Sequence, residues 1–265
     1  MARWWMTLAM VVMVSSTRAR AEDLDASEIM RRNFTVGKVS DSRAEVTMTL
    51  VSESGARRER STQSLSKLLP NGVDQKRLVR FLTPADVKGT STLLIEHSEG
   101  DDDIWIYLPA LRKVRRLVAS NKKDSFVGTD FSYGDVIGHK VEDWTHTLVG
   151  SEQVDGVDTY VVESVPRTDA VRENSGYGKR RSWIRRDNFV AVKGLYWDPA
   201  GAPLKELSTA DIREIDAAHG KWQAFRLTMR NRQTGHTTEI VWTKLEVGVG
   251  LDDDVFTERY LEKES

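Results

Sequence analysis

The sequence predicts a mainly β protein with few helices, built around one large, curved antiparallel sheet or barrel. Roughly a dozen strand-like runs follow one another closely along the chain. Many of them alternate apolar and polar residues, as strands with one buried face do. Connections such as Asp-Gly, Thr-Gly and Pro-Ala-Gly are typical of short hairpin turns. No repeat, low-complexity tract or linker divides the chain, so we expect a meander of sequential strands.

The first 21 residues have the features of a secretory signal peptide. Arg3 supplies a positive start, residues 4–14 are mostly apolar and uncharged, and Ala19-Arg20-Ala21 is a small-x-small cleavage site. This apolar run is too short to span a bilayer, which needs roughly 20 residues; an N-terminal membrane anchor is the alternative. We expect cleavage after Ala21, a single mature domain over 22–265, and localisation in the periplasm.

Composition excludes several classes of protein. The chain has no cysteine, which excludes disulfides, thiolate metal sites, a cysteine nucleophile and a lipid attached to an N-terminal cysteine. Removal of the signal peptide leaves 36 basic residues against 40 acidic ones, a mild net charge of −4 that argues against nucleic-acid binding. The sequence contains neither a phosphate loop nor a dinucleotide-binding glycine pattern, and we expect no cofactor. These features indicate an untethered protein whose contact with membranes is transient.

The elements follow in order from the mature N-terminus. One short helix is predicted there, with Asp25 as its cap and Glu28 three residues later. The next strand, 43–51, alternates Val46, Met48 and Leu50 with polar residues. Further strands are predicted at 57–65, 75–82, 91–97, 103–108 and 112–118, and a second set at 144–150, 158–165, 179–186, 188–197, 203–212, 222–231 and 236–247.

The strand 103–108 is apolar on both sides. Ile104 and Ile106 point one way, and Trp105 and Tyr107 point the other. Such a strand is expected to be buried on both faces. Because a curved sheet with an apolar inner face can hold a ligand, Trp105 and Tyr107 are candidate cavity contacts. A filled core without a cavity fits the same pattern.

Residues 119–143 form the one long, glycine-punctuated connection. Loops of this length inside a compact β domain are usually functional or mobile. Within it, Gly128 and Gly134 allow tight bends, and we expect Asp130 and Asp135 to accept backbone N–H bonds that hold those bends.

The same stretch, DSFVGTDFSYGDV, also concentrates aromatic residues. We expect Phe126, Phe131 and Tyr133, with the neighbouring Trp144, to contact the cavity or its rim. The pattern leaves open whether this segment is a fixed plug or a moving lid.

We find no catalytic constellation and no metal site. The five histidines lack metal-ligand spacing, and the acidic runs 100–103 and 252–254 lack the EF-hand pattern. Paired carboxylates of Asp130 and Asp135 are the one enzymatic alternative. The basic run 111–117 has two interpretations, a binding surface for phosphates or lipid headgroups and a solvated strand.

Three stretches between residues 80 and 136 form a recognisable combination: FLTPADVKGT, DDDIWIYLPALRKVRRL and SFVGTDFSYGD. Together with DDDVFTERYLE near the C-terminus, they resemble the outer membrane lipoprotein-sorting protein-like family, periplasmic relatives of the LolA and LolB carriers. The resemblance implies an incomplete antiparallel β-barrel, closed by short helices or loops, whose hydrophobic cavity binds acyl chains.

The resemblance also implies a function. It predicts a non-catalytic carrier of lipid or lipoprotein acyl chains that works towards the outer membrane beside an RND-type (MMPL-like) inner-membrane exporter. LolA itself uses an arginine that ties its lid to the barrel, and the sequence shows no clear counterpart, so a lipid other than a lipoprotein stays open as cargo. The other class of function is a structural or adhesin-like interaction module with a filled β core.

Overall fold

Thirteen β-strands form a single antiparallel sheet. The structure is a computed structural model that describes residues 24–263, so the predicted signal peptide lies outside the described residues. The strands are β1 (Asp41–Val51), β2 (Arg57–Leu68), β3 (Gln75–Thr83), β4 (Ser91–Ile95), β5 (Asp103–Leu108), β6 (Lys113–Leu117), β7 (Trp144–Val154), β8 (Val157–Pro166), β9 (Lys179–Arg185), β10 (Ala191–Trp197), β11 (Pro203–Asp216), β12 (Lys221–Asn231) and β13 (Thr237–Val247).

The order of the strands makes the sheet an incomplete barrel. From one edge to the other it runs β6-β5-β4-β3-β2-β1-β13-β12-β11-β10-β9-β8-β7. Each strand therefore pairs with its neighbours in sequence, with two exceptions: β1 also pairs with β13, and β6 and β7, at the two edges of the sheet, do not pair with each other. Residues 119–143, which we call the crossing segment, connect these two edges. The predicted fold class, an incomplete antiparallel barrel closed by short helices and loops, is confirmed.

Four short helices accompany the sheet: α1 (Ala26–Thr35), α2 (Tyr133–Ile137), α3 (Asp169–Ser175) and α4 (Glu258–Leu261). The Asp25 carboxylate caps α1 by accepting from the N–H of Ser27 at 3.2 Å. Glu28 does not complete the expected capping box, because its carboxylate pairs with Arg31 and Arg32 instead. The sequence predicted only α1; α2 and α3 are too short to show a helical apolar period.

The buried residues form three clusters. The largest fills the inside of the barrel, where inward-facing residues of β1, β3 and β5 meet the crossing segment. A second lies where α1 packs on β8 and β9. The third lies on the other face of β2–β5, where the C-terminal residues from Val249 to Leu261 cover the sheet. As predicted, β5 contributes to both sides of the sheet, with Ile104 inside and Trp105 in the third cluster.

Candidate functional site

Two neighbouring cavities lie beneath the crossing segment. The first has a volume of about 360 Å³ and lies between α1, α2 and the inner face of β9–β12. The second has a volume of about 260 Å³ and lies against the inner face of β1–β3 and β13. Arg77, Phe131, Val136 and Leu227 line both, so the two cavities are adjoining parts of one interior space. Together they have a volume in the range of small-molecule sites.

The walls of both cavities combine apolar and polar side chains. The second has apolar walls from Val39, Ala44, Val46, Met48, Val79, Phe126, Ile240, Trp242 and Leu245, and its polar groups are mostly hydroxyls, from Ser42, Thr62, Ser64 and Ser66. The first has apolar walls from Met30, Phe34, Ile137, Leu207 and Met229, together with polar groups that include Asp135, His139, His146 and Arg180. The interior is therefore amphipathic, and most of its charged side chains line the first cavity.

The crossing segment enters the barrel with its aromatic side chains. Phe126, Phe131 and Tyr133 are all buried in the barrel-filling cluster. Phe126 packs against Phe81 of β3 at 6.0 Å between ring centroids and meets Tyr133 edge-on at 5.4 Å. Burial raises the pKa of Tyr133 to about 12, so its phenol stays neutral. Phe131 lines both cavities and Phe126 lines the second.

Two barrel arginines hold the crossing segment by its carbonyls. Arg60 of β2 donates to the carbonyl of Val127, and Nη1 of Arg77 of β3 donates to the carbonyl of Val136 at 2.6 Å. Burial lowers the pKa of the Arg77 guanidinium. Sequence reasoning missed both residues. The sequence did contain a signal for Arg77: it shares one face of β3 with the apolar residues Val79 and Phe81.

Asp130 joins the crossing segment to β13. Its carboxylate accepts from Oγ1 of Thr238 at 2.7 Å and lies 2.6 Å from Nδ1 of His236, while its own N–H donates to Thr238. We expected Asp130 to accept backbone N–H bonds within the loop; its partners are side chains of a strand instead. The turn just before Asp130 is sharp at Gly128, where φ is +79°, as the sequence predicted.

Asp135 lies at the centre of a buried polar network. It accepts from the N–H of Ser132 at 2.9 Å and from the hydroxyl of Tyr177 at 2.8 Å, with Nε2 of His139 at 3.2 Å and Nζ of Lys205 at 3.3 Å. Burial alone would raise the pKa of Asp135, but the charge of Lys205 and these hydrogen bonds outweigh it and hold the pKa well below its usual range. Asp135 therefore accepts a backbone bond, as predicted, and is fully ionised.

His139 and Gly134 support this network. Burial, aided by the nearby positive charge of Arg180, lowers the pKa of His139 to about 4, so its imidazole is neutral at pH 7. Gly134 does not have the bend we expected, since it lies inside α2 with ordinary helical geometry. A Cβ there would lie 3.2 Å from the Lys122 carbonyl oxygen, so close packing is its structural role.

Trp144, Trp105 and Tyr107 line neither of the two cavities, and neither does Tyr133. Trp144 is fully buried, with the Arg180 guanidinium carbon 3.8 Å from its ring centroid. Trp105 and Tyr107 pack in the C-terminal cluster on the opposite face of the sheet. This corrects their predicted cavity contact: the face of β5 turned towards the barrel interior carries Ile104 and Ile106. Because both faces of β5 are apolar, the sequence could not show which of them points into the barrel.

Asp130 and Asp135 do not form a carboxylate pair. Asp130 is bonded to β13, whereas Asp135 is bonded to Ser132, Tyr177, His139 and Lys205, with no partner in common. Among residues 24–263, no group of three or more acidic, histidine or cysteine side chains is arranged to hold a metal ion. Nor does any helix in this described range have the length and apolarity needed to cross a membrane.

The topology and the enclosed apolar cavity define the class: a LolA-like incomplete barrel. A solved domain from Vibrio parahaemolyticus, assigned to outer membrane lipoprotein sorting, is 31% identical and has a TM-score of 0.82, over 90% of this chain and 98% of that one. A DUF1329 family protein from Desulfovibrio piger is also 31% identical, with a TM-score of 0.81, over 89% of this chain and 97% of that one. The chain therefore belongs to the outer membrane lipoprotein-sorting protein-like family that the sequence resembled.

Other comparisons agree on the fold. A LolA superfamily protein from Nitrosomonas europaea, 21% identical, superposes with a TM-score of 0.68 over 90% of this chain and all of that one. A family model with the description "Uncharacterized protein" matches residues 73–263. No curated protein matches the sequence. Lipoprotein sorting is a task of binding and transport, so family membership confirms the prediction that the chain is not an enzyme.

Proposed function

We propose that this protein is a periplasmic carrier that binds acyl chains of a lipid or lipoprotein in the two adjoining cavities and moves them towards the outer membrane. The observation that carries the proposal is the apolar second cavity, enclosed by β1–β3, β13 and the crossing segment. The assigned role of the Vibrio relative in lipoprotein sorting supports it. A carrier must receive its lipid cargo from a donor protein, and we propose an RND-type inner-membrane exporter as that partner.

The physical chemistry of the cargo fits this arrangement. Each buried methylene of an acyl chain is worth about 0.8 kcal/mol, so a shuttle must shield the chain from water throughout. Val46, Met48, Ile240 and Leu245 offer such a surface inside the barrel. The chain that follows the predicted signal peptide has a mild negative net charge, which suits passage through an aqueous compartment.

We infer that the crossing segment is the gate of this interior. It lies over both cavities and spans the two free edges of the sheet. Hydrogen bonds and ion pairs from Arg60, Arg77, Thr238 and Lys205 hold it down. Such bonds can be exchanged for bonds to water, so the segment can lift without breaking the sheet.

A fluorescent fatty acid tests the proposal. The purified mature protein should bind the probe stoichiometrically, and Val46→Phe, which fills the second cavity, should weaken binding at least tenfold. Thr47→Phe is the matched control, because Thr47 is adjacent on β1 but absent from the cavity lining. Absence of binding by the wild-type protein, or equal weakening by both variants, would contradict a carrier that uses this cavity and favour a module with a filled core.

A further inference from the structure

We propose that Arg180 binds the anionic head of the cargo, so that the protein selects acyl chains that end in a carboxylate or a phosphate monoester. The inference rests on the proposed carrier function and narrows its cargo. Arg180 lies on β9 and lines the first cavity, where most of the charged side chains of the interior lie.

Arg180 is a partly buried cation that forms no ion pair with any described residue. Its Nε is buried and makes no hydrogen bond to any described residue, and none of the ion pairs within 24–263 includes its guanidinium. The contact it does make is with the Trp144 ring, 3.8 Å from the guanidinium carbon. Burying a charge is costly unless it is paired and hydrogen-bonded. An anion that enters the first cavity would supply both an opposite charge and hydrogen-bond acceptors.

The nearby negative charges are already matched. Asp135, the carboxylate whose field reaches Arg180, accepts from four groups and is paired with Lys205. The other carboxylate in the lining, Glu96, is paired with the buried Lys38. Three cations of the lining remain: Arg77, which donates to the Val136 carbonyl, Lys193, which lies over the Trp183 ring, and Arg180. The first cavity thus has more positive than negative charge.

The neutral neighbours of Arg180 suit an anion as well. The pKa values of His139 and His146 are lowered mainly by burial, and both imidazoles are uncharged at pH 7. Tyr196 lies opposite Arg180 on β10, and burial raises the pKa of its phenol far above the physiological range. None of these groups would repel an anion, and a guanidinium offers the planar, forked donors that carboxylates and phosphates accept.

The two cavities give such a molecule a defined orientation. With the head at Arg180, the chain can pass Phe131 and Leu227, which line both cavities, and end among the apolar residues of the second. A neutral diacylglycerol-like chain end would leave Arg180 unpaired. The site therefore favours an amphiphile with an anionic head.

Calorimetric titration with three ligands of the same chain length tests the proposal: oleate, oleyl phosphate and the neutral oleyl alcohol. The wild-type protein should bind at least one of the two anions tenfold or more tightly than the alcohol. Which anion binds more tightly identifies the head group. Arg180→Met should abolish this preference and leave affinity for the alcohol within about twofold. Arg181→Met is the control, since Arg181 is the next residue and pairs with Glu163 outside both cavities.

The possible failures are distinguishable. Equal binding of all three ligands by the wild-type protein, or equal weakening of all three by Arg180→Met, would overturn the head-group site and leave the carrier intact. Failure of the wild-type protein to bind any of the ligands would overturn both. If Arg180→Met does not fold, Arg180→Gln replaces it, with the same expected loss of preference.

Discussion

The guanidinium of Arg77 donates a 2.6 Å hydrogen bond to the carbonyl of Val136, joining the barrel wall to the crossing segment. Val136 lies in the last turn of α2, where helical carbonyls lack partners within the helix. Arg77 therefore caps α2 from inside the barrel, and it ties the crossing segment to the barrel wall in a way that the sequence had not revealed.

We predict that Arg77→Met loosens the crossing segment. A hydrogen bond to a charged group contributes about 1.5–3 kcal/mol, so amide exchange over residues 119–143 should accelerate roughly ten- to a hundredfold. Hydrogen–deuterium exchange with mass spectrometry measures this directly. Arg58→Met is the control, because Arg58 is exposed on the neighbouring strand β2. Unchanged exchange over this segment in Arg77→Met would show that other contacts hold it.

The sequence pattern was sufficient to locate the strands, but it did not show for every strand which face points into the barrel. The alternation of Val46, Met48 and Leu50 correctly gave the buried face of β1. On β5 both faces are apolar, so the same reasoning placed Trp105 and Tyr107 towards the cavities when they pack under the C-terminal residues. Deciding between the faces required the position of residues 249–261, far away in sequence.

The candidate site was predicted in part. The aromatic residues of the crossing segment were found because they cluster within a few positions of one another. Arg180 and Arg77 were not found, because an arginine in an alternating strand looks like a solvated residue until the curvature of the sheet is known. The pairing of β1 with β13, which creates the inner face of the second cavity, joins strands almost a whole chain apart.

We predict that the C-terminal cover contributes strongly to stability. Leu261 of α4 is 1% exposed and packs on the sheet with Leu78 and Leu93. Leu261→Ala should lower the free energy of unfolding by about 2–5 kcal/mol, the usual cost of truncating a fully buried leucine. Leu111→Ala, at a position that is 49% exposed, should change it by less than about 0.5 kcal/mol. Urea denaturation of the two variants measures the difference, and equal effects would mean that α4 is not part of the folded core.

The buried neutral His139 predicts how stability depends on pH. Its pKa is about 4 in the folded protein, against roughly 6.5 in an unfolded chain. As the pH falls through this interval, the unfolded chain takes up a proton that the folded protein does not, so stability is present above the unfolded pKa and is lost towards pH 4. Asp135 stays ionised in the folded protein because its pKa is well below its usual range, and its carboxyl in the unfolded chain, with a pKa of roughly 3.9, takes up a proton only below about pH 5. Between pH 7 and pH 5 the loss therefore comes from the imidazole.

Between pH 7 and pH 5, the protonation of His139 in the unfolded chain lowers the free energy of unfolding by roughly 2 kcal/mol. His139→Gln keeps an N–H donor for Asp135 but cannot be protonated, so its free energy of unfolding should fall less over this range, by about that amount. Chemical denaturation at a series of pH values makes the comparison, with His219→Gln as control because that side chain is 72% exposed. A pH dependence in His139→Gln identical to that of the wild-type protein would mean that His139 does not take up a proton on unfolding in this range.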